Sequence, residues 1–270
     1  MRCHGCFAVF GELTGDRLSQ RKHLSIVGSI APLTPKFNFS GGEPFLHKGL
    51  CDLIVEAKQH TITSVVTNAT MLIRNPGLLD RLKGQLDWLC ISVDSLNPET
   101  NRSIGREWGG KTVLESDLLA LIDAARHRKI GIKINTVVSA ENHAEDFRDF
   151  ILQARPHRWK LMQLTEVKGQ NDAGFRRLSI TGPQFQAFYE RQRDAVGDVV
   201  PDVVYEPADL VRGSYLMINP EGCFFDSAKG EHQHGSPILD VGVKEALRDV
   251  TYSEAKFHQR HGDWNYGGRR

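Results

Sequence analysis

The sequence predicts an α/β protein built on a parallel sheet, and three observations carry that expectation. The chain has 270 residues, enough for one large domain around a single core. Short β-rich runs alternate with helical patterns as far as Leu164, and such alternation means parallel strands joined by right-handed crossovers. Polar residues recur where the β-rich runs end, which is where parallel folds bind their ligands. A partial barrel and an open sheet both satisfy these observations.

Taken in order, residues 36–40 read as a strand and 48–60 as an amphipathic helix. Strands follow at 62–67, 86–92, 130–138 and 158–164, with helices over 75–83, 112–128 and 144–154 between them. After Gly169 the alternation stops. A helix over 183–196 leads into a looser region holding Pro201, Pro207 and Pro220, where 215–219 and 223–226, split by Pro-Glu-Gly, predict a hairpin. Residues 262–270 are rich in Gly, Trp and Tyr without a helical period, as in a tail or a segment folded over a site. One domain is expected, with a core over 1–169 and an extension over 170–270 that completes it.

Composition narrows the function. Basic residues number 34 and acidic ones 33, a net charge of +1 that excludes a general nucleic-acid coat or a polybasic membrane patch. No apolar run approaches the ~18 residues of a membrane span. Residues 1–10 hold two cysteines and no hydrophobic signal core, and five cysteines in all is an odd number for a disulfide scaffold. A cytoplasmic protein with no membrane and no direct nucleic-acid partner is expected.

Three constellations carry chemistry. Cys3 and Cys6 form a Cys-x-x-Cys pair, able to reach one soft metal, an iron–sulfur cluster, or each other as a redox couple. Cys51 and Cys90 read as packed thiols on a helix and a strand. Ser40-Gly41-Gly42-Glu43-Pro44 directly follows a strand, where glycines admit close backbone approach and Glu43 offers an acceptor. Thr67, Asn68, Ser92, Asp94, Asn135 and Gln163 sit at successive strand ends. Finally Lys36, Lys133, Arg158 and Lys160 lie in or beside strands, and four such cations together suit a polyanion such as a triphosphate.

Cys3-x-x-Cys6-Phe, followed by Ser40-Gly-Gly-Glu-Pro44, resembles the radical SAM superfamily. There a C-x3-C-x2-C loop holds three irons of a [4Fe–4S] cluster, and the fourth iron takes S-adenosylmethionine. Lys36-Phe-Asn-Phe-Ser-Gly-Gly-Glu-Pro-Phe-Leu46, Ile132-Lys-Ile-Asn-Thr136, Arg158-Trp-Lys160, Ser214-Tyr-Leu216, Ile238-Leu-Asp-Val-Gly-Val243 and Ile104-Gly-Arg106 are similar to viperin and its microbial relatives over nearly the whole chain. The resemblance implies a partial (βα)6-type parallel barrel of the radical SAM kind whose C-terminal extension covers the substrate site. It implies dehydration of a CTP-like ribonucleoside triphosphate by removal of the 4′-hydrogen and loss of the 3′-hydroxyl as water. A further electron and proton then give a 3′-deoxy-3′,4′-didehydro nucleotide, a chain terminator in antiviral defence.

By motif match, Cys3 and Cys6 would bind the cluster, and Gly41, Gly42, Glu43, Thr67, Asn68 and Ser92 would hold S-adenosylmethionine. Lys36, Lys133, Asn135, Arg158, Lys160 and Ser214 would hold the nucleotide, with Tyr215 the catalytic tyrosine near the sugar. An electron donor such as a ferredoxin or flavodoxin is the implied partner. The family's first cluster cysteine, four residues before Cys3, and the strand preceding it would fall before Met1, so a start upstream of Met1 is expected. The family's further triphosphate lysine aligns near His232, with Lys229 close by. The rival readings are an inactive S-adenosylmethionine- or nucleotide-binding protein without a complete cluster site, and a radical SAM enzyme with another substrate.

Overall fold

The computed structural model describes residues 1–11, 13 and 18–263. Six strands, β1 (Lys36–Phe39), β2 (Ile62–Thr67), β3 (Trp88–Ser92), β4 (Gly131–Val138), β5 (Arg158–Gln163) and β6 (Val203–Glu206), form one sheet in that order. Every pairing in it is parallel. A smaller antiparallel sheet joins β7 (Met217–Ile218), β8 (Cys223–Asp226) and β9 (Gln233–Pro237).

Side chains alternate across a strand, so residues paired in register share a face. One face of the large sheet carries Phe39, Val65, Leu89, Ile91, Ile132, Ile134, Trp159 and Leu161, all buried in the main core under the helices. The helix Leu50–Lys58 shows why it packs there. It buries Leu50, Leu53, Ile54 and Ala57, spaced three and four apart as a single stripe. Asp52 in its first turn and Lys58 in its last suit the helix dipole, and Lys58 Nζ binds Asp87 at 2.6 Å just before β3.

The opposite face is polar. Registered residues place Ser64, Cys90, Ser92, Lys133, Asn135, Arg158 and Lys160 on it. This face is concave: Lys133 on β4 reaches over β3 to Ser64 Oγ on β2 at 3.0 Å. Lys36 on β1 lies close enough to Lys133, Lys160 and Arg158 to feel their charges. Strands β1 and β6 do not pair with each other, so the barrel is partial.

Several elements differ from the expectations. The alternation does not end at Gly169, because β6 extends the sheet from beyond it; its four residues, set between Pro201 and Pro207, give too short a pattern to read. The helix expected over 75–83 is shortened to Leu78–Leu82, starting after Pro76, and a separate helix, Thr70–Arg74, which the sequence reading lacked, precedes it. The helix Gln20–Ile30, capped by Ser19, and strand β9 had no counterpart in the sequence reading. Cys51 packs in the main core, whereas Cys90 is buried on the concave face instead. Residues 264–270 of the expected tail lie outside the described residues. Among the described residues no helix is long and apolar enough to cross a membrane.

Candidate active site

The rim of the concave face is built at the strand ends. After β1, Gly41 takes φ 144°, a conformation side chains disfavour, and a Cβ on Gly41 or Gly42 would meet no atom within 4 Å. The turn therefore leaves open space beside the backbone. It aims Glu43 at the end of β2, where Oε1 accepts from Thr67 Oγ1 at 2.7 Å and Oε2 from the Asn68 backbone N–H at 2.8 Å. Oε1 also accepts from the Phe45 N–H at 3.2 Å, so this carboxylate is held on three sides. Ser92 follows one strand along, paired in register with Asn135, which pairs in turn with Lys160. Asn135 Oδ1 is buried with no hydrogen-bond partner, an open acceptor on the polar face.

The Cys3–Cys6 loop docks on the same rim. Cys6 N–H closes a turn onto the Cys3 carbonyl at 3.2 Å, and both thiols are half-buried. His4 N–H donates to the Ile104 carbonyl at 3.0 Å, and Asn171 Nδ2 to the Gly5 carbonyl at 3.3 Å. Two glycines make the seat possible: a Cβ on Gly105 would collide with the Arg2 carbonyl, and one on Gly174 with the His4 carbonyl. Arg106, buried, donates to the Ser92 carbonyl at 2.7 Å and to Asp94 Oδ2 at 2.9 Å, with its charge close enough for the Cys3 thiol to feel. Burial raises the Cys3 thiol against the pull of Arg106. In the sequence Arg106 stands out only as part of Ile104-Gly-Arg106, and its position between turns hides how it links the loop to β3.

As a donor set, two thiolates in one turn suit an iron–sulfur cluster and supply part of its ligands. Among the described residues no group of three or more His, Cys, Asp and Glu side chains converges on one ion.

Deeper in the concave face lie the four cations. Lys133 is only 5% exposed, and burial first, then Lys160 and Arg158, lower it to about 8, with the Cys90 thiol pulling the other way. Burial and the charges of Lys133, Lys160 and Arg158 push Lys36 well below the usual lysine range. Arg158 bonds Asp202 Oδ2 at 3.1 Å and the His261 carbonyl at 2.6 Å.

Lys160 has a different setting. Its Nζ lies 2.6 Å from Glu206 Oε1 and donates to Tyr215 Oη at 2.8 Å. Tyr215 donates to Glu206 Oε2 at 2.7 Å. Arg260 completes the group, 3.2 Å from Glu206 Oε1, with its guanidinium 3.8 Å above the Tyr215 ring. It also grips Ser214 through the hydroxyl at 2.7 Å and the carbonyl at 2.8 Å. Glu206 and Arg260 escaped the sequence reading because one sits in the unread β6 and the other follows a short C-terminal helix.

Comparison with known proteins agrees in family. The model of the Radical SAM superfamily matches residues 1–154. An S-adenosylmethionine-dependent nucleotide dehydratase of Lacinutrix mariniflava is 39% identical over 274 residues, covering 98% of this chain and 56% of its own length. One of Flammeovirga pacifica is 32% identical over 276 residues, covering 98% of this chain and 92% of its own. The chain thus spans little more than half of the first relative and most of the second. In fold, Streptococcus suis SuiB bound to its precursor peptide SuiA superposes with TM-score 0.66 at 13% identity, covering 95% of this chain and 62% of that one.

Proposed function

The chain belongs to the radical SAM superfamily and, within it, to the S-adenosylmethionine-dependent nucleotide dehydratases, and from that premise we propose that it dehydrates a ribonucleoside triphosphate such as CTP. The product is a 3′-deoxy-3′,4′-didehydro nucleotide, which stops chain elongation and serves antiviral defence. The protein acts in the cytoplasm with a ferredoxin or flavodoxin as electron donor. The observation that carries the reading is the gathering of Lys36, Lys133, Arg158 and Lys160 on one concave face below a rim made by Glu43, Asn68 and Ser92. The extension over 170–270 completes this domain and closes over the substrate, bringing Tyr215 to Lys160 of β5, with Ser214 held beside it by Arg260.

Cys3 and Cys6 would supply two of the cluster's protein ligands, and the cluster with S-adenosylmethionine would supply hydrogen-atom abstraction from an unactivated carbon. Glu43 is fixed to receive the methionine amino group, and Thr67, Asn68, Ser92 and the open turn at Gly41 and Gly42 frame the rest of that ligand. The Asn135 carbonyl oxygen accepts a sugar hydroxyl. Lys36, Lys133 and Arg158 take the triphosphate with charge-assisted hydrogen bonds, and phosphate charge offsets the burial and repulsion that depress the two lysines. Lys160 stands between that site and Tyr215. An inactive binding protein is not favoured, since the relatives are dehydratases by name.

The test is anaerobic incubation of the cluster-loaded protein with S-adenosylmethionine, a low-potential reductant and each ribonucleoside triphosphate in turn. A nucleotide lighter by one water, formed alongside 5′-deoxyadenosine, is expected. Formation of 5′-deoxyadenosine with every nucleotide left intact would refute the reading.

A further inference from the structure

We propose that Glu206 is a positioning residue of the reaction centre, whose carboxylate holds the phenolic proton on Tyr215 and balances the cations Lys160 and Arg260 on either side of it. The proposal rests on the reading that Tyr215 faces the sugar. Glu206 is fully buried at the end of β6, on the edge of the concave face. Three side chains from three separate elements converge on it: Lys160 at 2.6 Å, Tyr215 at 2.7 Å and Arg260 at 3.2 Å. A carboxylate removed from water at this depth is costly unless it is fully paired, and a buried ion pair contributes little to stability by itself. Apolar side chains of similar volume would hold β5, β6 and the C-terminal helix together as well. What an apolar cluster could not do is fix a phenol.

The geometry fixes it closely. Tyr215 Oη donates its only hydrogen to Glu206 while accepting from Lys160 at 2.8 Å, so the rotation of the O–H is set by the pair. Arg260 covers the ring at 3.8 Å and grips the neighbouring Ser214 at both its hydroxyl and its carbonyl, which locks the ring plane. The charges divide to match. Lys160 is raised and Glu206 lowered, each stabilised as an ion against the cost of burial. Tyr215 is raised by burial and by Glu206, against the pull of Lys160 and Arg260, so the phenol stays neutral. Without Glu206 the phenol would face two cations alone and would tend toward phenolate. Glu206 therefore decides that Tyr215 stands beside the sugar as a neutral phenol with a fixed O–H.

The experiment is a tyrosine titration by ultraviolet difference spectroscopy in the nucleotide-free protein, with Tyr215→Phe identifying the Tyr215 signal. In Glu206→Gln that signal should move down by about one unit or more, since the amide keeps the shape but not the charge. An unchanged titration would overturn the proposal. If Glu206→Gln does not fold, Glu206→Asp gives the reading, because it keeps the charge for Lys160 while withdrawing it from the phenol, and the shift should have the same direction.

The second readout is nucleotide product formed per 5′-deoxyadenosine. This ratio should fall about tenfold or more in Glu206→Gln, with nucleotide KM changed far less. A lowered titration with the ratio intact in Glu206→Gln, but lost in Tyr215→Phe, would refute the positioning role alone. An intact ratio in Tyr215→Phe would instead refute the placement of Tyr215 at the sugar, and the proposal with it.

Discussion

Replacing Lys133 with Met should make the nucleotide-free protein more stable and its nucleotide site weaker. Lys133 is 5% exposed, and burial together with Lys160 and Arg158 moves it from 10.5 to about 8. At ~1.4 kcal/mol per unit, holding that ammonium in the fold costs about 3 kcal/mol. The hydrogen bond to Ser64 Oγ returns about 1 kcal/mol, leaving a net gain of about 2 kcal/mol for Lys133→Met at pH 7. The sign follows from proton binding. The folded-state value lies below the unfolded one, so between about pH 8 and 10.5 the unfolded chain holds more protons and stability rises with pH. Below pH 8 the full cost is present. The advantage of Lys133→Met in urea unfolding should therefore be largest at neutral pH and shrink steadily toward pH 10.5. Calorimetric titration with CTP should show the reverse penalty, about 1.5–3 kcal/mol of lost binding. A Lys133→Met protein no more stable than wild type at pH 7, or with a pH-independent difference, would refute the picture of a strained cation awaiting phosphate.

Two further outcomes test the rim. Glu43→Gln places an amide where the Asn68 N–H and Thr67 hydroxyl both donate, and the resulting donor clash should weaken S-adenosylmethionine binding by about 1–3 kcal/mol, read by equilibrium dialysis; unchanged affinity would remove Glu43 from the site. Gly174→Ala drives a methyl into the His4 carbonyl and should lower the iron retained after anaerobic reconstitution while circular dichroism stays native, as should Cys3→Ala and Cys6→Ala; full iron retention in Gly174→Ala would mean the loop is not seated by the helix Asp172–Leu178 that carries this glycine.

The strand–helix order was legible because each strand buries an apolar face of period two, and each helix a stripe of period near 3.6. Phe39, Val65, Leu89 and Ile91 announce the core, and Leu50, Leu53, Ile54 and Ala57 announce the helix above it. Strand β6 fails that test on length. Its four residues carry Val204 and Glu206 toward the concave face, and a carboxylate in that position breaks the apolar signature that a buried strand should show. Cys90 failed for a related reason: an apolar run reads as buried without saying against what, and here the burial is among lysines.

The site divides along the same line. Residues whose partners lie near a strand end, such as Glu43 with Thr67 and Asn68, could be found from local motif and position. Lys160 could be found as a cation in a strand, but its meaning could not, because its partners come from β6, from the approach to β7 and from a helix one hundred residues away. Lys36, Lys133 and Arg158 stand together as a phosphate clamp in waiting, with the first two lysines depressed by mutual repulsion and burial. Lys160 is raised by Glu206 instead, and Arg158 is paired with Asp202, so the cations that look alike in the sequence have different electrostatic settings. A triphosphate should gain most from the depressed pair, whose burial and mutual repulsion it offsets on binding, and least from the lysine already matched by Glu206. The order of nucleotide-affinity losses on replacement should then be Lys133 before Lys160, with Lys160→Met marked chiefly by loss of coupling between 5′-deoxyadenosine and product. Equal affinity losses with intact coupling would place Lys160 back among the phosphate ligands.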